Sequence, residues 1–264
     1  METFIHNKSI VMIRVFFIGL FSLLIINSKL NAQSADLVSG VYQLDAKNAK
    51  ANIRGTTTDL KLFSFHSTTL AAGATNHPPR AVMDRDELIV IKEGIVTVLI
   101  NDSLKTLGPG SIALIGAGDR QQFSNKGTAP VTYYVIGFQS VKPVNIDRGR
   151  VAGGASLHEW SLIPVKQTPK GQSRPVFDRP SAMFRQFEVH ATTLHAGQES
   201  HPQHHHSNEE IILMMQGDIT MHIGEKYLKA PVGSIAMLRS EVLHSLQNTG
   251  NNDCWYYAIK WVNE

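Results

Sequence analysis

Asp86 to Ile100 reads DELIVIKEGIVTVLI, and Glu209 to Ile223 reads EEIILMMQGDITMHI. Each is a run of β-favouring residues, a glycine turn and a second run, which is the pattern of a hairpin. The two align position by position, with Gly94 on Gly217. Matches continue on both sides. Phe63 to Gly73 (FSFHSTTLAAG) aligns with Phe187 to Gly197 (FEVHATTLHAG), and Gly110 to Asn125 (GSIALIGAGDRQQFSN) aligns with Gly233 to Asn248 (GSIAMLRSEVLHSLQN). Each copy closes on an aromatic run, TYYVIGF and WYYAIKW. A repeat of this length duplicates a structural unit. The offset is 124 residues in the first block and 123 in the later ones, so one residue slips in the loop between them.

Short apolar runs alternate with turn signals such as KEG, NDS, GPG, NKG, QGD, IGEK and NTGNN, and no long segment has helical periodicity. The expected class is all-β, with two tandem jelly-roll barrels. The halves are taken as residues 33–150 and 151–264. Residues 141–184, richer in Pro, Gly and basic side chains, read as the connection, with some strand at HEWSLIPV. In ITMHI, Ile219, Met221 and Ile223 share one face, and Thr220 and His222 share the other.

The formal charge of +3 is small, and Lys8, Arg14 and Lys29 against Glu2 supply +2 of it. The rest lacks the clustered basic face that nucleic-acid binding needs. Lys8 and Arg14 precede the apolar run Val15 to Ile26, and the polar NSKLNAQS follows. That pattern predicts a signal peptide over residues 1–32, cut after Ala32, with export to a periplasmic or extracellular compartment. The run is short of the ~20 residues that span a bilayer, so no stable membrane anchor is expected after cleavage. The single cysteine, Cys254, cannot form an internal disulfide, and its strand-like setting predicts a buried thiol.

The segment HPQHHHSNEEIILMMQG, from His201 to Gly217, carries most of the chemistry. His204 and His206 are two apart, so on a strand both imidazoles face one side and His205 faces the other. Glu210 opens the next strand. His244 follows far along the chain, after Pro231 and Gly233 and before Asn248. Three imidazoles and one carboxylate suit a divalent transition metal rather than calcium or magnesium. Mn, Fe or Zn is expected. His201 is a candidate for a supporting or pocket-lining place, as is His222 if its face looks into the barrel. Gln198 and Glu199 lie near the motif, and His66 and His190 pair across the repeat as core or rim residues.

Gly197, His204, His206, Glu210 and Gly217, followed by Pro231, Gly233, His244 and Asn248, resemble the two motifs of the cupin superfamily. There is one extra residue after the first glycine and a longer gap before the last histidine. The resemblance implies a double-stranded β-helix with the metal inside the barrel, and the repeat extends it to a bicupin. The first copy has lost the pattern. Glu87 and Gly94 remain, Gln121 stands at the distal histidine, and the other two positions fall on Ala81 and Met83 or on Arg80 and Val82. One metal per chain is therefore expected. The first barrel is expected to be a structural or dimerising half, which leaves a homo-oligomer open, or a metal-free pocket. Glu87 should be protonated or paired, with Arg80, Arg85 or Arg120 as the candidate partners.

Similar bicupins include oxalate decarboxylases and oxidases, quercetin-type dioxygenases and (S)-ureidoglycine aminohydrolases. The ligand order His-x-His-x3-Glu then His looks like that of the first two groups and departs from that of the aminohydrolases. The expectation is a small-molecule metalloenzyme using an open coordination position. A non-catalytic cupin that binds a sugar or small acid is the alternative, and a purely structural metal is a third.

Overall fold

The computed structural model describes residues 1, 35–45 and 51–263, so the apolar run of the expected signal peptide lies outside the described residues. Among the described residues no helix is long and apolar enough to cross a membrane. The architecture is all-β, and the two tandem jelly-roll barrels are present.

The first barrel has a six-stranded sheet in the order Ser156–His158, Ile112–Ile115, Asp86–Glu93, Val131–Ser140, Leu60–Leu70 and Asn52–Gly55. It faces a four-stranded sheet of Arg80–Ala81, Arg120–Ser124, Val96–Ile100 and Ser103–Leu107. The second barrel repeats the plan. A seven-stranded sheet runs Gly40–Gln43, Ser234–Leu238, Glu209–Gln216, Cys254–Val262, Gln186–Leu194, Gly171–Arg179 and Lys166–Thr168. It faces a three-stranded sheet of Lys226–Ala230, Ile219–Ile223 and His244–Asn248.

The halves of the sequence do not map cleanly onto the barrels. Gly40–Gln43 pairs with Ser234–Leu238 of the second barrel, and Ser156–His158 pairs with Ile112–Ile115 of the first. Each barrel thus borrows an edge strand from beyond the boundary at 150, which covers an edge that would otherwise be open. Arg239 holds the first exchange in place. Its guanidinium donates to Asp36 at 2.9 Å, to the Leu37 carbonyl at 2.7 Å and to Glu209 at 2.7 Å. In the connection, HEWSLIPV starts at the end of the strand Ser156–His158 and continues into a 3-10 turn over Trp160–Leu162, and further strands follow at Lys166–Thr168 and Gly171–Arg179.

Strand alternation sorts side chains into three cores. Leu88, Val90, Tyr134, Ile136 and Phe138 from the first barrel pack with Phe187, Ile211, Leu213, Ile259 and Trp261 from the second. Their odd-or-even neighbours, Ile89, Ile91 and Tyr133, fill the first barrel, while Ile212, Met214 and Tyr256 fill the second. The central strands are therefore buried on both faces, which is why their sequence is continuously apolar.

The same alternation separates two adjacent acids. Glu209 shares the face of Ile211 and enters the interface, where it accepts from Thr57 Oγ1 and from Arg239. Glu210 shares the face of Ile212 and enters the second barrel. Asp86, the counterpart of Glu209, is likewise buried and accepts from the Ala117 and Met183 amides at 2.9 and 3.1 Å.

Asn248 is a structural residue. It donates to the carbonyls of Leu194 (2.9 Å) and Asn252 (2.8 Å) and accepts from the Gly250 amide. Asn125 makes the same three bonds, to Leu70, Ala129 and Gly127, in the barrel that lacks the histidines. Cys254 is buried, and burial pushes its thiol up to about 11, so it is no nucleophile at neutral pH.

Candidate metal centre

The histidines arrive from two elements joined by one small antiparallel bridge. The His204 amide donates to the His244 carbonyl at 3.1 Å, and the His244 amide donates to the His204 carbonyl at 2.8 Å. Backbone pairing thus sets the two imidazoles side by side, with ring centroids 4.6 Å apart. His206 follows two residues later on the same side. Ligand atoms of His204, His206 and His244 all lie within 4.8 Å of one another. From the facing sheet, Glu210 Oε2 reaches His206 Nε2 at 3.2 Å and His244 Nε2 at 3.6 Å. All four expected residues are brought together.

Hydrogen bonds on the far side of two rings assign their protons. His206 Nδ1 donates to the Asn208 carbonyl at 2.8 Å, and His244 Nδ1 donates to the Val242 carbonyl at 2.9 Å. A neutral imidazole protonated at Nδ1 presents a bare lone pair at Nε2. Both lone pairs face Glu210. Burial alone would push the Glu210 carboxyl up, but the His206 and His244 imidazoles, when they carry a proton on Nε2, outweigh it and bring the carboxyl down to about 2. His244 Nε2 is buried and has no hydrogen-bond partner among the described residues. Two lone pairs and an ionised carboxylate converge, and a positive charge must sit among them, either a proton or a metal cation. The donor set of imidazole nitrogens and one carboxylate suits a divalent transition metal.

The electrostatics of the cluster show this tension. The bond to Glu210 raises the pKa of His206. Burial, followed by the neighbouring imidazoles, lowers that of His204. His204 Nδ1 meets His201 Nδ1 at 2.9 Å, and His201 in turn contacts the Pro202 carbonyl at 3.0 Å. His201 therefore steadies the His204 ring and lines the cavity.

Other candidates fall elsewhere. His205 points outward, with Nδ1 2.6 Å from Glu241 Oε2, as strand parity requires. His222 lies outside the barrel, stacked on the exposed Tyr227 at 4.1 Å, because the apolar face of its strand, with Met221, is the inner one. Glu199 is taken up by Ser245 Oγ at 2.9 Å, and Gln198 takes part through its backbone, its carbonyl accepting from the Asn248 amide and its amide donating to the His195 carbonyl. His190 lines the cavity, unlike a core residue. Glu188 and Lys260 are an addition from the structure, paired at 2.9 Å at the cavity wall. Their signal was the difference between the two repeats at positions remote from any motif.

The site opens into a cavity of about 270 Å³ inside the second barrel. Its walls are apolar at Ile212, Met221, Leu238 and Leu246 and polar at Thr192, Ser200 and Tyr256.

In the first barrel, strand pairing settles the slipped residue. Arg80 pairs with Gln121 as His204 pairs with His244, so Arg80 occupies the His204 position. An arginine and a glutamine replace two imidazoles there. Glu87 is paired with Arg85, whose Nε lies 3.0 Å away, rather than with Arg80 or Arg120.

Residues 191–260 match the family model of the cupin domain. Three solved structures are similar to the chain over most of its length. A putative glyoxylate-induced protein from Pseudomonas aeruginosa is 16% identical with a TM-score of 0.62, covering 76% of this chain and 74% of that one. AerE from Microcystis aeruginosa is 16% identical with a TM-score of 0.62, covering 85% and 98%. A Bacillus subtilis oxalate decarboxylase, described as having Mn(II) centres, is 9% identical with a TM-score of 0.65, covering 86% and 78%. No curated protein sequence matches the chain. At these identities the likeness concerns the fold.

Proposed function

The chain is a bicupin by fold, its second barrel a cupin domain, and on that premise we propose that it is a small-molecule metalloenzyme with one divalent transition metal per chain. The metal is held by His204, His206, Glu210 and His244. The observation that carries this reading is the convergence of His206 Nε2 and His244 Nε2 on the buried Glu210 carboxyl, at 3.2 and 3.6 Å, with the His204 ligand atom beside them and His244 Nε2 without a hydrogen bond among the described residues. Manganese, iron and zinc all suit the donor set. When bound, the metal supplies a Lewis acid at the cavity floor.

The chain's own residues do the rest. Val242 and Asn208 fix the tautomers of His244 and His206 through their carbonyls. His201 steadies His204. Ile212, Met221 and Leu238 exclude water from one wall, which strengthens polar contacts made inside. The first barrel, with Arg80 and Gln121 at ligand positions, serves as a structural partner. Lys8, Arg14 and the apolar run to Ile26 support export of the mature chain.

Metal affinity is expected to rise with pH through the imidazole range. Each ligand imidazole binds a cation only after losing its proton. Protonation of one ligand costs up to about tenfold in affinity per pH unit below about 6.5. His206, with its pKa raised by Glu210, gives up its proton at a higher pH than His204, whose pKa burial lowers. Calorimetric titration with Mn²⁺ or Zn²⁺ across that range, in buffers of different ionisation enthalpy, measures the protons released; a pH-independent affinity contradicts the ligand set.

The functional test is turnover by the metal-loaded, full-length protein. Release of carbon dioxide from small carboxylic acids, dioxygen uptake with flavonols and ammonia release from ureido compounds separate the reaction classes. Saturable binding with no turnover in any of them replaces the enzyme by a binding module.

A further inference from the structure

We infer that Lys260, braced by Glu188, is the anion-binding arm of the second-barrel cavity, and that the molecule it receives is a short monocarboxylic acid. This rests on the metal-centre reading and names its substrate class.

Strand register places the group. Across the large sheet, Leu238, Glu210, Lys260 and Glu188 stand directly opposite one another on four successive strands. All four point into the barrel, and neighbours in such a row have Cβ atoms about 4.5–5.5 Å apart. Lys260 is thus the immediate neighbour of Glu210. Its Nζ lies 2.9 Å from Glu188 Oε2, and Glu188 Oε1 lies 3.3 Å from His190 Nδ1. An ammonium has three donors. Glu188 is the ion-pair partner of this ammonium, no hydrogen bond from it to another side chain is present among the described residues, and Lys260 lines the cavity with its side chain 30% exposed.

The first barrel supplies an internal comparison. The same row there reads Ile115, Glu87, Gly137 and Ser64. Lysine has become glycine, and glutamate has become serine. Arg85 fills the space. A Cβ on Gly137 would meet Ser64 Oγ at 2.5 Å and Arg85 Cδ at 3.3 Å, and Arg85 neutralises Glu87. Both barrels fold on the same plan, so a pair needed for the fold would be needed in both. Lys260 and Glu188 instead go with the histidines. His66 and His190 occupy matching positions in the two copies and carry no such information.

Charge and size define the occupant. With a divalent cation, neutral imidazoles, Glu210 and Lys260 lining the cavity, and Glu188 paired with Lys260, the site would carry one net positive charge, which a monoanion balances. Its volume of about 270 Å³ lies below the roughly 300–1,000 Å³ of drug-sized pockets, so the acid is short.

The test is calorimetric titration of glycolate and its uncharged analogue glycolamide into full-length protein loaded with Mn²⁺. Wild type is expected to bind glycolate at least about tenfold more tightly than glycolamide. Lys260→Met should keep its metal and lose that preference. Glu188→Gln, which leaves the ammonium in place but unbraced, should weaken it less. If Lys260→Met fails to fold, Lys260→Gln gives the same readout with a side chain of similar polarity. A wild-type chain that takes up Mn²⁺ but binds both probes alike, or a Lys260 variant that holds metal and still prefers glycolate, overturns this inference alone. A wild-type chain that takes up no metal overturns it together with the metal-centre reading.

Discussion

Replacement of His244 by alanine is expected to strip the protein of its metal while leaving the fold intact. The bridge between residues 204 and 244 is made by backbone groups on both sides, so truncating the imidazole leaves it standing. The variant gives up one hydrogen bond, from His244 Nδ1 to the Val242 carbonyl, while Nε2 has none to lose among the described residues. The affinity loss should exceed the ~10–100-fold that follows from disturbing a partner behind a ligand. Stability reports it as well. A metal present at about 1,000 times its Kd stabilises the native state by about 4 kcal/mol, and a 100-fold weaker variant retains only about 1.4 kcal/mol. The thermal shift on adding Mn²⁺ or Zn²⁺ should therefore shrink about threefold. His205→Ala is the control. That ring faces outward onto Glu241, and both side chains are more than half exposed, so its loss should leave the shift unchanged. Equal losses in the two variants would mean that the His-rich loop binds cations loosely and without the barrel.

Phe138→Ala should be the most damaging change away from the metal. Phe138 is fully buried and touches Phe63 of its own barrel at 5.8 Å, Phe187 at 5.2 Å and Trp261 at 5.4 Å, the last two from the other barrel. Truncating a buried phenylalanine costs about 3–5 kcal/mol, because the lost contacts leave a cavity. For a chain of this size that is a fall in Tm of roughly 6–20 °C. The shared core also predicts how the protein unfolds. Each barrel has its own filling, but the largest aromatic cluster belongs to both. Urea unfolding followed by tryptophan fluorescence and by far-UV circular dichroism should give one coincident transition in wild type. Two separated transitions would mean that the interface contributes little.

The ligand set was legible because its spacing is local. His204, His206 and Glu210 fall within seven residues, and the repeat flags His244 by its mismatch with Gln121. The duplicated β plan was legible for the same reason, since hairpin turns at Gly94 and Gly217 sit at matching offsets. What stayed hidden depends on register and on which face of a strand is enclosed. Leu88 and Ile89 are both apolar, so nothing in the sequence says that one enters the interface and the other the barrel. His222 illustrates the same limit. Its strand alternates cleanly, but alternation does not say which side is inside. The borrowed edge strands Gly40–Gln43 and Ser156–His158 are too short to signal their partners. Lys260 and Glu188 lie 72 residues apart and meet only through pairing of the strands that carry them. A single inserted residue left Arg80 and Ala81 equivalent as candidates until pairing with Gln121 decided between them.

The central claim is asymmetry: two barrels and one metal, held in the second. Elemental analysis of full-length protein purified without a histidine tag, alongside His204→Ala, tests it most directly. The expected result is one Mn, Fe or Zn per chain in the wild type and close to none in the variant. Two metals per chain, or one that survives the loss of His204, would contradict it.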